Sequence, residues 1–274
     1  MNRSLRFELH RAIFNIRFFI SLAAGCILSV LQFCHTVVPL GGQLEMYKNF
    51  EHGLIPMPNP YENWIEADFF CQYSLAFFLM LPLLAAFPYG VSYFDDVKTG
   101  YAKSILTRSD KKSYYASKCG AVAVSAFLVI VIPLLLNFFL ASTRLPLIAP
   151  DISASVSGIR QQSVLWSLYY SHPFLHTMIF IVLGGVFGVL FAFISFIISD
   201  LAEHSIVALL FPFILNVFLL AVFDTLNYSE ASPIYFLRSG WEVSNWYIII
   251  AYAAVILGAT AGVCHYRKGK KDVF

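Results

Sequence analysis

Residues 174–199 read FLHTMIFIVLGGVFGVLFAFISFIIS, a run of 26 residues without a single Lys, Arg, Asp or Glu. As an α-helix this run is about 39 Å long, which exceeds the roughly 30 Å of a bilayer's hydrocarbon core. A charged residue at the centre of such a helix would cost about 2.5 to 3.5 kcal/mol, so the absence of charge fits a lipid environment. The run therefore predicts a membrane-spanning helix and argues against a soluble helix bundle.

Five further apolar runs of similar length occur along the 274-residue chain, which is 59% hydrophobic and has a mean hydropathy of +0.72. The core of a soluble protein of this length does not require such a bias. The sequence thus predicts an all-α integral membrane protein, with residues 1–274 forming a single transmembrane domain of six spans. The predicted spans lie near residues 18–37, 70–93, 119–142, 174–199, 205–223 and 245–266.

The basic residues predict the orientation of these spans. Of the 18 Lys and Arg residues, only Lys48, Arg144, Arg160 and Arg238 fall in segments on one side of the membrane. Basic residues accumulate on the cytoplasmic side of membrane proteins. Both termini and the loop between the second and third spans are therefore predicted to be cytoplasmic.

The residues before the first span have an amphipathic pattern. Leu5 and Leu9 fall on one helical stripe, and Arg6 and His10 fall on a neighbouring polar arc. This pattern predicts that residues 1–17 form a helix lying in the inner membrane interface. A basic flank that only sets the topology is the alternative.

The sequence lacks the motifs of the common intramembrane enzymes and of ATP-binding loops. It contains no HExxH, GxSxG or GxxxxGK[ST] pattern, and no ionisable residue lies at the middle of a predicted span. The chain is therefore predicted not to be catalytic on its own, and a proton- or sodium-driven carrier is disfavoured.

Metal and disulfide chemistry are also disfavoured by the sequence. The count of five Cys is odd and there is no CxxC spacing, which argues against a disulfide framework or a zinc site. A pairing of Cys34 with Cys71 stays open. His172 and His176 have a spacing of four residues but no evident third ligand.

The loop between the second and third spans carries GYAKSILTRSDKKSYYASK at residues 100–118, with five basic residues in 19 positions. A helical pattern places Tyr101, Ser104 and Ile105 on one face, and Ser109 can cap a second helix that leads into the third span. The positive-inside rule explains the bases but not the apolar and aromatic residues between them. We therefore expect a short cytoplasmic helix that contacts a soluble partner, with a pure topology signal as the alternative.

An acidic pair at the end of the second span, Asp95 and Asp96, followed by this loop and a long apolar run, resembles the ABC-2 family of ABC transporter permeases. The interfacial N-terminal helix, the six spans and the inner termini are similar to the layout of that family. The resemblance implies the transmembrane subunit of an ATP-driven exporter in a bacterial cell membrane. It implies a second permease chain, either a copy or a relative, and a cytosolic ATPase subunit that binds ATP and Mg, with membrane lipid around the chain. This chain itself is then expected to need no cofactor and no nucleic acid.

The resemblance also implies roles for particular residues. The segment 96–112 would act as a coupling helix seated in a groove of the ATPase, and the turn between spans four and five would make a second contact. The implied coupling residues are Tyr101, Ile105, Leu106, Arg108, Lys111, Lys112, Asp200, Glu203 and His204. The implied translocation path lies between spans two and five of the two protomers. Its residues are Phe77, Phe78, Leu81, Phe211, Phe213, Asn216 and Phe218. Such an aromatic path favours a lipid-like or amphipathic peptide cargo, although Phe side chains that face lipid give the same sequence.

A competing hypothesis from another functional class is a non-transporting membrane sensor or immunity protein that binds an antimicrobial peptide at its outer loops. The outer loop 38–69 is rich in Pro and acidic residues, and it is expected either to pack at the headgroup level or to form a solvated spacer. The segment 224–243 resembles the family's outer re-entrant turn, with a simple loop as the alternative. Small residues four apart, as in Gly184 and Gly188 or Gly258 and Gly262, are expected to let helices of this chain pack closely.

Overall fold

The computed structural model of the chain describes residues 3–49, 57–107, 111–150, 159, 162–199, 201–240 and 245–269. Over these residues every regular element is a helix. Five helices are long and apolar enough to cross a membrane: Ile16–Gly42, Ser113–Arg144, Pro173–Ile198, Ser205–Thr225 and Trp246–His265. They agree within a few residues with five of the six predicted spans. The chain therefore has the architecture of a multi-pass α-helical membrane protein.

The elements follow one another in chain order. They are α1 (Arg3–Ile13), α2 (Ile16–Gln32), a π-helical segment (Phe33–Val37), α3 (Val38–Gly42), α4 (Leu44–Asn49), α5 (Pro60–Asn63), α6 (Gln72–Ala86), α7 (Ser92–Lys98), α8 (Tyr101–Leu106), α9 (Lys111–Arg144), α10 (Trp166–Ser171), α11 (Pro173–Ile198), α12 (Ser205–Thr225), a 3₁₀ turn (Ser229–Ala231), α13 (Pro233–Phe236) and α14 (Trp246–Gly269). The first candidate span combines α2, the π-helical segment and α3.

The second predicted span, residues 70–93, is divided. Helix α6 has 15 residues, a length of about 22 Å, and ends at Ala86. A turn that contains Pro88 and Gly90 separates it from α7. Gly90 N donates to Ala86 O at 2.8 Å, and a Cβ on Gly90 would lie 2.6 Å from the same oxygen, so a larger residue does not fit this turn. A proline and an obligatory glycine thus end α6 before it reaches the length of the other spans.

Helix α9 lies at the centre of the bundle, in contact with α1, α2, α6 and α11. Small residues on α2 allow its close approach to α9 and α6. Ser21 Oγ donates to Leu84 O at 2.6 Å, and Ser29 Oγ donates to Pro133 O at 3.0 Å. A Cβ on Gly25 would lie 2.9 Å from Pro133 Cγ. The close approach of helices at small residues is confirmed here.

The glycine pairs of α11 and α14 differ from each other. On α11, a Cβ on Gly188 would lie 2.8 Å from Ile130 Cγ1 on α9, so this glycine serves packing within the chain. On α14, a Cβ on Gly258 or Gly262 would have no neighbouring atom within 4 Å among the described residues. The expectation of close packing within the chain is therefore confirmed for α11 and wrong for α14.

Residues 38–49 of the predicted outer loop form α3 and α4, and its second described part, residues 57–69, packs against the protein. Trp64 and Ile65 are buried, and the Trp64 ring lies 5.8 Å from the ring of Phe138 on α9. Ile65 N donates to Asn137 Oδ1 at 2.7 Å. The spacer interpretation is thus wrong for these residues, and residues 50–56 lie outside the described part of the chain.

The segment after α12 also folds back onto the bundle. Ile234 and Phe236 of α13 are buried, and the Phe236 ring lies 5.1 Å from that of Phe187 on α11. This segment therefore forms a packed turn rather than an extended loop through residue 240, and residues 241–243 lie outside the described part.

Candidate functional site

Four charged side chains from three helices meet at the end of the bundle where the first span begins. Glu8 and Arg11 come from α1, Asp96 from α7 and Lys118 from α9, and we call them the N-terminal ion cluster. Glu8, Asp96 and Lys118 are at most 1% exposed. Charged residues are almost never buried to this extent unless they are paired, so the contacts of the cluster decide its role.

The cations and carboxylates of the cluster are paired in a closed arrangement. Lys118 Nζ donates to Glu8 Oε2 at 3.2 Å and to Asp96 Oδ2. Arg11 donates from Nη2 to Asp96 Oδ1 at 2.9 Å and from Nη1 to Glu8 Oε1 at 3.3 Å. Each cation thus bridges both carboxylates, and two positive charges balance two negative ones.

Two tyrosine hydroxyls complete the cluster. Tyr89 Oη donates to Glu8 Oε2 at 2.5 Å, and Tyr114 Oη donates to Asp96 Oδ2 at 3.0 Å. Buried ion pairs gain little net stability over an apolar packing of the same shape, but removing one partner is strongly destabilising. The arrangement therefore fixes how α1, α7 and the start of α9 sit relative to one another.

The acidic pair of α7, Asp95 and Asp96, binds two different partners. Asp96 faces the cluster, whereas Asp95 lies at the surface and accepts from Arg17 Nη1 at 2.8 Å. Both side chains of the Arg17–Asp95 pair are about 40% exposed. Adjacent acids on one helical turn thus bind two different bases of the N-terminal segment.

Helix α8 follows α7 after a tight turn at Gly100, whose φ of +74° is in the left-handed region that favours glycine. Tyr101 and Ile105 are half-buried and face the bundle, and the Arg11 guanidinium lies 4.3 Å from the centre of the Tyr101 ring. The exposed face of α8 carries Lys103 and Ser104. The apolar stripe predicted from sequence therefore contacts this chain's own helices.

The remaining residues of the predicted coupling surface are described only in part. Glu203 and His204, at the turn before α12, are exposed. Arg108 and Asp200, and the side chains of Leu106, Lys111 and Lys112, lie outside the described residues.

The seven residues of the predicted translocation path do not share one surface. The three on α6 are enclosed in the core, whereas Phe218 on α12 is 60% exposed. Asn216 is buried, and its Oδ1 has no hydrogen-bond partner among the described residues. The enclosed three are Phe77, Phe78 and Leu81, Phe213 is half-buried, and Phe211 is exposed.

A second group of buried ionisable side chains lies at the opposite end of the bundle, where α2 ends. Gln32 Nε2 on α2 donates to Asp68 Oδ2 at 2.9 Å, which anchors the loop before α6. In that loop Glu66 is completely buried, and Arg238, in the turn after α13, is 2% exposed. We call these two the Glu66–Arg238 pair.

The two members of this pair differ in their contacts. Arg238 Nη2 donates to Asp68 O at 2.9 Å, to Phe69 O at 2.6 Å and to Ser74 Oγ at 3.0 Å. Neither carboxylate oxygen of Glu66 has a hydrogen-bond partner in the described part of the chain.

Burial shifts the pKa of both Glu66 and Arg238. It raises the pKa of the Glu66 carboxyl well above its usual range, against the opposing effect of the nearby Arg238 charge. Burial lowers the pKa of the Arg238 guanidinium to about 10, with nearby Asp68 acting in the opposite direction. At neutral pH the pair therefore consists of a charged arginine beside a carboxyl that resists ionisation.

Sequence reasoning missed both buried groups of charges. Glu8 carried a usable signal, because it is the only acidic residue among the first 17 and sits within the amphipathic pattern. Lys118 belongs to the bases of the topology signal, although it lies about two turns inside a helix that continues as a span. Nothing in the local sequence connects Glu66 with Arg238, which are 172 positions apart.

Within the described ranges, no group of three or more His, Cys, Asp or Glu side chains is arranged to hold a metal ion. None of the five cysteines forms a disulfide, so Cys34 and Cys71 are not paired, and Cys71 Sγ lies 3.9 Å from His35 Nδ1. Comparison with protein-family models, curated proteins and solved structures finds no match. The five long apolar helices give the class of the chain, a multi-pass α-helical membrane protein.

Proposed function

We propose that this chain is the transmembrane permease subunit of an ATP-driven exporter of the ABC-2 type, with a separate ATPase subunit. The observation that supports this proposal is the loop α7–α8, which presents an exposed face and is joined to α1 and α9 by the N-terminal ion cluster. Lys103 and Ser104 on α8 are exposed, as is Thr107 directly after it, while Tyr101 and Ile105 face the bundle. Such an element suits the transfer of motion from a soluble partner to membrane helices.

The contacts of the loop give a physical route for that transfer. Displacement of α8 would act on Tyr101, which lies against Arg11 of α1. Displacement of α7 would act on Asp96, which binds Lys118 at the start of the central helix α9. Because the Asp96–Lys118 ion pair is buried, it holds its geometry better than an exposed pair would. A rigid connection of this kind is what coupling of ATP hydrolysis to helix movement requires.

The proposal includes a topology and a second chain. Six crossings, with α6 and the turn after it as the second, would place both termini and α8 in the cytoplasm of a bacterial cell.

Helices α12 and α14 are the least enclosed of the long helices. Only 17% of the residues in an apolar 18-residue stretch of α12, and 11% in that of α14, are buried. These two helices would face lipid or a second permease chain, and a path between the chains would suit a lipid-like or amphipathic peptide cargo. ATP and Mg would bind to the partner ATPase.

The proposal is tested by identifying what co-purifies with the chain. The tagged protein would be extracted from its native membrane in mild detergent and its partners quantified by mass spectrometry. Ser104→Trp adds bulk to the exposed face of α8, and Arg6→Trp, on the exposed face of α1, is the matched control. We expect a stoichiometric protein with a P-loop that is retained by the control and lost with Ser104→Trp. Ile105→Asp should have the same effect, but Ile105 also packs against the core, so its protein level must be matched.

Two results would contradict the proposal. The first is a chain that purifies alone or with only a membrane kinase or receptor. The second is a P-loop protein that is retained equally by Ser104→Trp and by wild type, because docking would then not involve α8.

A second candidate function is favoured by the packing of residues 57–69, which belong to the predicted outer loop. Residues 57–69 are packed against α9, with Trp64 and Ile65 buried, and so form a fixed surface at the end opposite to α1. A sensor or immunity protein that binds an amphipathic peptide there without moving it would need such a surface. Co-purification with a membrane kinase, together with peptide binding that is unaffected by Ser104→Trp, would favour this candidate.

A further inference from the structure

A cavity of about 570 Å³ lies between α1, the start of α2 and the turn that joins α6 to α7. Its lining includes Arg11, Phe14, Arg17 and Ser92, and also Asp95, whose carboxylate is paired with Arg17. It borders the N-terminal ion cluster through Arg11, whereas Glu8, Asp96 and Lys118 do not line it. The volume is in the range of small-ligand sites.

The polar side of the cavity is suited to an anion. The guanidinium of Arg17 donates from Nη1 to Asp95, and its side chain is 41% exposed, which leaves further N–H groups open to a ligand. Helix α2 begins at the cavity with Asn15 as its cap, so the positive end of the helix dipole points towards this space. Planar guanidinium groups bind phosphate oxygens in pairs, which makes phosphate the anion that this side fits best.

A buried hydroxyl provides an independent indication of a ligand. Ser92 lines the cavity and is 6% exposed, and its Oγ has no hydrogen-bond partner in the part of the chain that the structure describes. Buried polar atoms are nearly always hydrogen-bonded in folded proteins. The Oγ atom itself is shielded from solvent, so a rotation of the Ser92 side chain about χ1 would bring its hydroxyl to a phosphate oxygen in the cavity.

The position of the cavity along the membrane normal identifies the source of the phosphate. The first candidate span starts at Ile16, so the start of α2 lies at the headgroup level of a bilayer. Phe14 and Ile16 line the cavity and are 68% and 70% exposed, respectively, which leaves apolar surface for acyl chains beside the polar side. A free phosphate ion would gain nothing from these two side chains, whereas a lipid would.

We propose that this cavity binds the phosphate headgroup of an anionic glycerophospholipid, held by Arg17 and Ser92 with its acyl chains against Phe14 and Ile16. The inference does not depend on the proposed transport function, because lipid binding is measured without an ATPase or a cargo. It assigns to the start of α2 a specific lipid contact in addition to general burial in the bilayer.

The test is native mass spectrometry of the full-length protein in detergent with added phosphatidylglycerol, phosphatidylcholine or inorganic phosphate. We expect phosphatidylglycerol to be retained in preference to phosphatidylcholine, and inorganic phosphate not to displace it. Arg17→Gln should weaken retention by about tenfold or more, since a hydrogen bond to a charged group is lost. Ser92→Ala, which removes a hydroxyl without a partner in the fold, should weaken it about two- to tenfold.

The control variant is Arg6→Gln, which removes the same charge from an exposed position on α1 outside the cavity. Equal losses with Arg6→Gln and Arg17→Gln would overturn the proposal, because the effect would then belong to the surface charge as a whole. Equal retention of phosphatidylcholine, or displacement by inorganic phosphate, would also overturn it, the latter by showing that the site takes the free ion.

Discussion

The two groups of buried charges, at opposite ends of the same bundle, are built in opposite ways. In the N-terminal ion cluster, Lys118 binds both Glu8 and Asp96, and every charge has a partner of the opposite sign. In the Glu66–Arg238 pair, the arginine binds backbone carbonyls and a serine, and the carboxyl has no hydrogen-bond partner among the described residues. Burial alone therefore does not determine what a charged residue does in this protein.

The difference lies in how each group responds to a change of charge. A closed ionic cluster is sensitive to the loss of any member, because the remaining charges stay buried without compensation. A carboxyl that resists ionisation is instead sensitive to pH. The first arrangement suits a rigid joint between helices, and the second suits a group that changes its charge.

The largest effect is expected from Lys118→Met. This change leaves Glu8 and Asp96 with Arg11 as their only cation, and loss of one partner from a buried ion pair typically costs about 3 to 5 kcal/mol. The measurement is the midpoint of thermal unfolding in detergent, read from the fraction of protein that stays monodisperse after heating. Lys98→Met, at an exposed position on α7, is the matched control and should unfold like wild type. An unchanged midpoint for Lys118→Met would show that the cluster is not closed as described.

A somewhat smaller loss is expected from Arg238→Met. The variant removes hydrogen bonds to two backbone carbonyls and to Ser74, which we expect to destabilise the fold by about 2 to 3 kcal/mol.

A double-mutant cycle sharpens the comparison between the two ends of the bundle. The coupling energy between Lys118 and Asp96 should exceed that between Arg238 and Glu66, since only the first two side chains share a hydrogen bond. Equal coupling energies would remove the distinction.

A pH-dependent effect is expected from Glu66→Gln. Because burial raises the pKa of the folded Glu66 carboxyl, the unfolded chain releases this proton at a lower pH than the folded chain does. The contribution of Glu66 to stability is therefore fully present below its unfolded pKa and is lost as the pH rises towards the folded value. Glutamine cannot ionise, so the stability of Glu66→Gln relative to wild type should increase between about pH 4 and pH 8.

The measurement for this variant is the unfolding midpoint of both proteins across that pH range. Glu203→Gln, at an exposed position before α12, is the control and should follow the wild-type curve. Parallel curves for Glu66→Gln and wild type would mean that Glu66 ionises normally in the folded protein.

The spans were predictable because their signal is local. The run 174–199 contains no charge and becomes α11, and the predicted starts of the last two spans lie within one residue of those of α12 and α14. The end of α6 was harder to predict from the sequence, because proline is tolerated in many membrane helices. Only the close contact of Gly90 with Ala86 in the structure shows that the helix stops before Pro88.

The buried charges were not predictable for a different reason. The contacts of Lys118 with Glu8 and of Arg238 with Ser74 join residues more than 100 positions apart. Helical periodicity describes one helix at a time and carries no information about which faces meet. Asp96 was recognised as part of a motif, but its partner on α1 became visible only in the folded bundle.

The smallest effect on stability is expected from Arg17→Gln, and it separates the exposed pair from the buried cluster beside it. Both side chains of the Arg17–Asp95 pair are about 40% exposed, and exposed pairs contribute only about 0 to 1 kcal/mol. The thermal midpoint should therefore shift far less than for Lys118→Met, although both variants remove one positive charge from the same end of the bundle. If the cavity binds an anionic lipid, the same variant should lose most of its phosphatidylglycerol while remaining folded. A large loss of stability in Arg17→Gln would instead place Arg17 with the structural cluster, because a side chain that acts through lipid binding should leave the fold in detergent nearly unchanged.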